Sequence, residues 1–142
     1  MKVTDKADYH FITGVSSGGI ASWNACWFRN DYFRRAFLSS PTFSAMRGGN
    51  ILMPLIRKCE ARPIRVWMTV GTDEPDYFFG DSYHVAMDAL SALRFAGYEI
   101  RFERIEGGGH CAKFGDREYF QKAMKWIFED WKTKPVKIVT NP

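Results

Sequence analysis

The chain's 142 residues are enough for one domain with a buried core, and 46% hydrophobic against 25% charged residues is the balance of a globular protein. Its net charge of +4 comes from scattered cations such as Arg34-Arg35, Arg57-Lys58 and Lys132-Thr133-Lys134. There is no basic stripe interleaved with exposed aromatics, so no nucleic-acid partner is expected. No apolar run reaches membrane-spanning length and Met1 to Asp5 does not read as a signal peptide, so no membrane association is expected and the chain as given is expected to be cytoplasmic.

Periodicity predicts strands separated by helices. A strand over 9–13, containing His10, leads into Gly14-Val15-Ser16-Ser17-Gly18, and a helix over 18–28 carries Ile20, Trp23, Ala25 and Trp27 until Asn30-Asp31 break it. Ala36 to Ser39 reads as a short strand, 41–50 as a loop with Arg47-Gly48-Gly49-Asn50, and 51–58 as a short helix. A buried strand over 64–70 follows Pro63 and ends in the turn Gly71 to Asp76. A helix over 81–96 stops at Gly97, and a strand over 99–105 enters Glu106-Gly107-Gly108-Gly109-His110. The last helix spans 116–131 with Phe120, Ala123, Met124, Ile127, Phe128 and Trp131 near one face, and 134–142 is a peripheral tail. This grammar predicts an α/β fold, a parallel sheet of about four strands with helices on both faces, in a single unit over 1–142.

Gly14-Val15-Ser16-Ser17-Gly18 has the pattern of a nucleophile elbow, a serine on a sharp strand-to-helix turn. Residues two positions either side of that serine are expected to be small because the turn crowds them. The Ser17 N–H at the helix start can face a developing oxyanion. An acid past the end of the 64–70 strand can hold an imidazole tautomer, and Asp73, Glu74 and Asp76 are the candidates. Of the three histidines only His110 lies on a glycine-rich loop after a strand, which makes it the expected base. Ser16, acid and His110 come in the chain order of this chemistry, each after a strand, where open α/β sheets gather their ligand and catalytic groups. Singly, each has a plainer reading: Ser16 as a helix cap, Gly71 to Asp76 as a turn, His110 as a loop residue. Cys26, Cys59 and Cys111 show no Cys-x-x-Cys spacing, so neither a disulfide framework nor a metal site is indicated.

Gly14-Val15-Ser16-Ser17-Gly18-Gly19, Ser40-Pro41-Thr42-Phe43-Ser44, Arg47-Gly48-Gly49-Asn50, Arg62-Pro63-Ile64-Arg65-Val66 and Gly107-Gly108-Gly109-His110 carry a family resemblance. From about Thr4 to Trp131 the chain resembles the C-terminal part of α/β-hydrolases of the group that includes enterochelin esterases, feruloyl and acetylxylan esterases and esterase D-like enzymes. The resemblance implies Ser16 as nucleophile and His110 as base. It puts the acid three residues after the glycine that ends the strand, which here is Glu74 where the group usually has Asp. Asp73 and Asp76 stay open as alternatives. It also implies a serine esterase without cofactor or metal, acting on small-molecule, carbohydrate or siderophore esters.

Arg47, Gly48 and Gly49 are expected to border the substrate, because two glycines let backbone approach a ligand. An acyltransferase would use the same triad with an alcohol in place of water, and an inert binding scaffold is the third reading. Because the chain opens almost directly on the elbow strand, it is expected to be a fragment whose sheet is completed by an N-terminal segment or another chain. The full-length parent could then be secreted or periplasmic.

Overall fold

A computed structural model describes residues 4–78 and 80–129. After a 3-10 turn at Ala7–Tyr9 come β1 (Phe11–Val15), α1 (Ser17–Phe28), β2 (Arg35–Ser39), a 3-10 segment at Met46–Ile51 and α2 (Leu52–Lys58). Next are β3 (Arg65–Gly71), the two-residue strands β4 (Asp76–Tyr77) and β5 (Gly80–Asp81), α3 (Ser82–Phe95), β6 (Glu99–Ile105) and α4 (Arg117–Ile127). Trp131 and the tail 134–142 lie outside the described residues.

Four strands form a parallel sheet in the order β1-β2-β3-β6, and β4 and β5 pair as a small antiparallel hairpin. This is the expected α/β architecture. Register runs straight across, with Val15 beside Ser39, Ser39 beside Thr69, and Thr69 beside Glu103. Every strand of the main sheet therefore ends at the same edge. The central strands β2 and β3 are buried along their whole length, whereas β1 and β6 are only partly buried.

Alternation along the central strands separates two cores, since successive side chains of a strand point to opposite faces. Ala36, Leu38, Val66 and Met68 pack with Trp23 and Trp27 of α1, Ile56 of α2, and Leu90 and Leu93 of α3. Phe37 and Trp67 point the other way, onto Ala123 and Ile127 of α4. Three helices thus cover one face and α4 the other. Asp81 and Asp116 cap α3 and α4, their side chains accepting from the His84 and Tyr119 N–H groups at 2.9 and 3.0 Å. Among the described residues no helix is long and apolar enough to cross a membrane.

Three details differ from the sequence reading. The first strand starts at Phe11, after His10. The His10 ring is used to tie the chain start down, hydrogen-bonding the Tyr32 and Thr4 carbonyls at 2.8 Å each. The β4–β5 hairpin has no counterpart in the sequence reading, which passes from the turn at Gly71 to Asp76 to the helix over 81–96, because two-residue strands carry no periodicity.

The third concerns charge: Arg34 and Arg35, read only as scattered cations, and Arg65, inside the predicted strand over 64–70, are all buried (7%, 2% and 6% exposed). Arg34 pairs with Asp8 at 3.1 Å. Arg35 donates to the Asp8 carbonyl at 3.0 Å and to the Ile127 carbonyl at 2.5 Å, at the C-terminal end of α4. Arg65 pairs with Glu99 and lies 3.9 Å from the centroid of the Trp126 ring. Cations at a helix C-terminus complement its dipole, so Arg35 and Arg65 fasten α4 to the sheet at the end opposite the strand termini.

Trp67 is the largest side chain of the smaller core. It is fully buried, stacks edge-on against Tyr119 and Trp126 with centroids 5.9 Å away in each case, and donates Nε1–H to the Tyr119 hydroxyl at 3.3 Å. Trp67→Ala should lower stability by about 3–5 kcal/mol in urea denaturation, and Trp67→Phe, which keeps a ring, by clearly less.

Candidate active site

Ser16, Ser40, Glu74 and His110 all follow strands of the main sheet, so the common strand edge brings them into one neighbourhood although they span most of the chain. Ser16 stands between β1 and α1 with φ 53° and ψ −122°, a conformation costly for any residue with a Cβ. Its N–H donates to the Ser39 carbonyl at 3.0 Å, and its carbonyl accepts from Gly19 at 3.0 Å as α1 begins. The turn crowds one flank only. A Cβ on Gly14 would overlap the Gly18 carbonyl, but a Cβ on Gly18 would meet nothing within 4 Å. The expectation that both flanking positions need to be small is therefore corrected for Gly18. Ser17 is the first residue of α1, where backbone N–H groups have no acceptor within the helix.

The Ser16 hydroxyl is 3.1 Å from the Thr42 hydroxyl, and the Thr42 N–H reaches the Ser16 carbonyl at 3.3 Å. Thr42 is buried at 1% exposure. Sequence reading placed it in a loop and gave it no role.

Of the three acids after β3, Glu74 meets the imidazole. Its Oε2 lies 2.6 Å from His110 Nδ1, and its side chain is completely buried while the histidine side chain remains 25% exposed. The other carboxylate oxygen, Oε1, accepts from the Gly71 N–H at 3.2 Å and from the Ser40 hydroxyl. A buried carboxylate needs such partners, because leaving it without them costs several kcal/mol. Asp73 turns its side chain to the Thr72 hydroxyl at 3.4 Å and uses its N–H on the Gly108 carbonyl at 2.9 Å. Asp76 lies exposed on β4.

The histidine loop is clasped to the acid's loop backbone against backbone. Thr72 N–H donates to the Ile105 carbonyl at 3.0 Å, and Gly107 N–H to the Thr72 hydroxyl at 2.8 Å. A Cβ on Gly71 would overlap the Gly108 carbonyl, so only glycine allows this approach. Beyond His110, Cys111 has φ 63°, and its N–H donates to the Ser40 hydroxyl at 2.9 Å. Burial, followed by the nearby Glu74 charge, pushes the Cys111 thiol up. Hydrogen bonds with the Ser40 hydroxyl and the Ser16 backbone oppose this without cancelling it. Tyr77 of the hairpin meets the His110 ring edge-on, with centroids 6.3 Å apart.

Arg47 and Gly48 are both in the left-handed region, with φ 54° and 72°. Arg47 is exposed and Gly48 has open space around its Cα. Gly49 is buried, and a Cβ there would lie 2.9 Å from the Ser44 carbonyl oxygen and 3.1 Å from both Phe43 Cα and the Thr42 carbonyl oxygen. Its visible work is to let the 46–51 segment press on the backbone that carries Thr42. A separate open groove of about 500 Å3 is lined by Arg101, Glu118, Lys122, Lys125 and Trp126. It lies along α4 and β6 and contains none of Ser16, Glu74 or His110. Its cations are partly engaged already, Arg101 and Lys122 both reaching Glu103.

No protein-family model matches the sequence, and no curated protein matches it significantly. Solved structures do match. The enterobactin esterase of Shigella flexneri, determined with 2,3-dihydroxy-N-benzoyl-glycine, superposes with a TM-score of 0.70 at 18% identity, over 90% of this chain and 34% of that one. A ferulic acid esterase gives 0.65 at 20% identity, over 87% and 51%. The S-formylglutathione hydrolase of Staphylococcus aureus gives 0.66 at 18% identity, over 88% and 53%. The chain thus has the α/β-hydrolase fold seen in these esterases, in part: it spans about a third to a half of their length.

Thiolate, not thiol, is the species that alkylates. Iodoacetamide near pH 7.5 should therefore modify exposed Cys59 first, the raised Cys111 thiol more slowly, and last Cys26, which is buried and pushed up to about 12. Peptide mass spectrometry over time reads the order. Gly49→Ala should cost roughly 1–3 kcal/mol of stability, because backbone rather than flexible side chains lines the space, so Gly49→Val is expected to act first on folding. Its urea midpoint checks this.

Proposed function

We propose that the chain carries the reacting groups of a serine hydrolase of carboxylic esters, with Ser16 as nucleophile, His110 as general base and Glu74 as the acid that orients it. The observation that carries this reading is the 2.6 Å contact between His110 Nδ1 and the buried Glu74 carboxylate, at the sheet edge where Ser16 also stands. With Nδ1–H committed to Glu74, Nε2 is the nitrogen left to accept the Ser16 proton. The Ser16 oxygen then attacks the ester carbonyl, and the oxyanion is stabilised by the Ser17 N–H at the start of α1. The imidazolium returns its proton to the departing alcohol, leaving an acyl group on Ser16. Water, deprotonated by His110, hydrolyses that acyl-enzyme and restores the serine.

The turn at Ser16 supports the nucleophile assignment. A serine acting only as a helix cap would accept from an N–H of the first turn, and the Ser16 side chain makes no such bond. The structural neighbours' names span enterobactin, ferulic acid and S-formylglutathione, the last a thioester, so they single out no acyl or leaving group, and the substrate proposed here is a carboxylic ester without a narrower choice. Tyr77, beside His110, is proposed to line its binding site. A segment or chain pairing with the free side of β1 is proposed to complete the sheet, since β1 has a single strand neighbour among the described residues.

A fluorophosphonate probe should form one adduct, on Ser16, by mass spectrometry. An adduct on Ser17, Ser39 or Ser40 contradicts the assignment. Turnover of an activated aryl ester should fall by about 10⁴ in Glu74→Gln, the scale seen when a triad loses its acid. Asp73→Asn and Asp76→Asn should stay within a few-fold of wild type. The reverse pattern would transfer the role to another acid.

A further inference from the structure

We propose that Ser40 is a positioning residue of this site, its hydroxyl holding the acid and the histidine loop at once; this rests on the roles given to Glu74 and His110 above. Ser40 directly follows β2, is 2% exposed, and has φ 44°. A left-handed serine is strained by its Cβ, and glycine would adopt the same backbone without that cost. The side chain must therefore offset the strain through what it bonds.

It bonds two things. The Ser40 hydroxyl donates to Glu74 Oε1 and accepts the Cys111 N–H at 2.9 Å. One oxygen atom thus reaches the acid and the residue that follows the base. Its own N–H is anchored on the Thr69 carbonyl of β3 at 2.8 Å, so the hydroxyl is fixed relative to the sheet.

The consequence for the carboxylate is directional. With Oε1 occupied by the Ser40 hydroxyl and the Gly71 N–H, Oε2 is the atom presented to His110 Nδ1. Glu has one more rotatable bond than Asp, so its carboxylate has more ways to turn away when unsupported. The Gly71 contact, at 3.2 Å, is at the long end of the range for an N–H donor. Without the Ser40 hydroxyl, the carboxylate and the Cys111 N–H both lose a partner, and the histidine loop loses its tie to β2.

Ser40→Gly separates this role from a purely structural one, because glycine suits the positive φ while deleting the hydroxyl; Ser40→Ala serves as a second variant. Two readouts are taken on folded protein: kcat and KM for an activated aryl ester, and the proton NMR signal of the His110 Nδ1–H, which a strong hydrogen bond to carboxylate moves far downfield. The proposal expects kcat to drop by about 10- to 100-fold, the scale of one hydrogen bond to a charged group, with KM within about twofold. It also expects the downfield signal to weaken or vanish in Ser40→Gly. An unchanged signal in that variant overturns the proposal whatever happens to turnover, and so does a kcat within about twofold of wild type. If the wild-type chain shows the signal but no turnover or probe labelling, the esterase reading fails; loss of the signal in Ser40→Gly would still establish the hydroxyl as what holds the Glu74–His110 pair.

Discussion

Four strands running the same way, in straight register, are the constraint on which the rest of this molecule depends. In a parallel sheet each connection must return to the starting edge, so all the strands finish together. Ser16, Ser40, Glu74 and His110 are brought together by that requirement, each standing one to five positions past the end of its strand, and the contacts among them are then refined by the loops that carry them. The loops have little freedom. The Gly71–Gly108 approach and the Asp73–Gly108 hydrogen bond make the acid's loop and the histidine's loop a single unit.

The two ends of the sheet do different work. At the starting edge, Arg35 and Arg65 are neighbours in register, a placement that would repel if both faced only each other. They are held apart by different acceptors: the Asp8 and Ile127 carbonyls for Arg35, and the Glu99 and Glu129 carboxylates for Arg65. That end secures α4. At the finishing edge the strained backbone collects, with Ser16, Ser40 and Cys111 all at positive φ. Strain of this kind persists only where surroundings overdetermine it. Here the surroundings are the hydrogen bonds among Ser16, Thr42, Ser40, Glu74 and Cys111. Likeness in fold to known esterases at 15–20% identity would be compatible with many activities. The case for ester chemistry therefore rests on these side chains rather than on the superposition.

Much of the fold was legible in the residues. Val66, Met68 and Val70 announced a strand buried on both faces and Gly97 a helix end, and both are found within a residue or two of their expected places; the amphipathic helix expected over 116–131 starts at Arg117 but already ends at Ile127. What escaped was whatever lacks a period. The β4–β5 hairpin is too short to show one, and buried arginines look like surface arginines until their acceptors are known. The strand at Phe11 stopped short of His10, because a histidine flanked by aromatics fits a strand pattern and a capping turn equally well.

For the site, the sequence alone could nominate Ser16, His110 and a choice of three acids, because glycine spacing and chain order are local properties. Position after Gly71, read through the family resemblance, favoured Glu74 and left Asp73 and Asp76 open, while nothing along the chain gave Ser40 or Thr42 a role. Those roles depend on distances between loops that lie 26 to 71 residues apart in sequence. A local pattern records the backbone conformation a residue must adopt. Which partner its side chain meets is set only when the sheet closes and the strand ends converge, since a hydrogen bond depends on tenths of an ångström and no spacing along the chain encodes that.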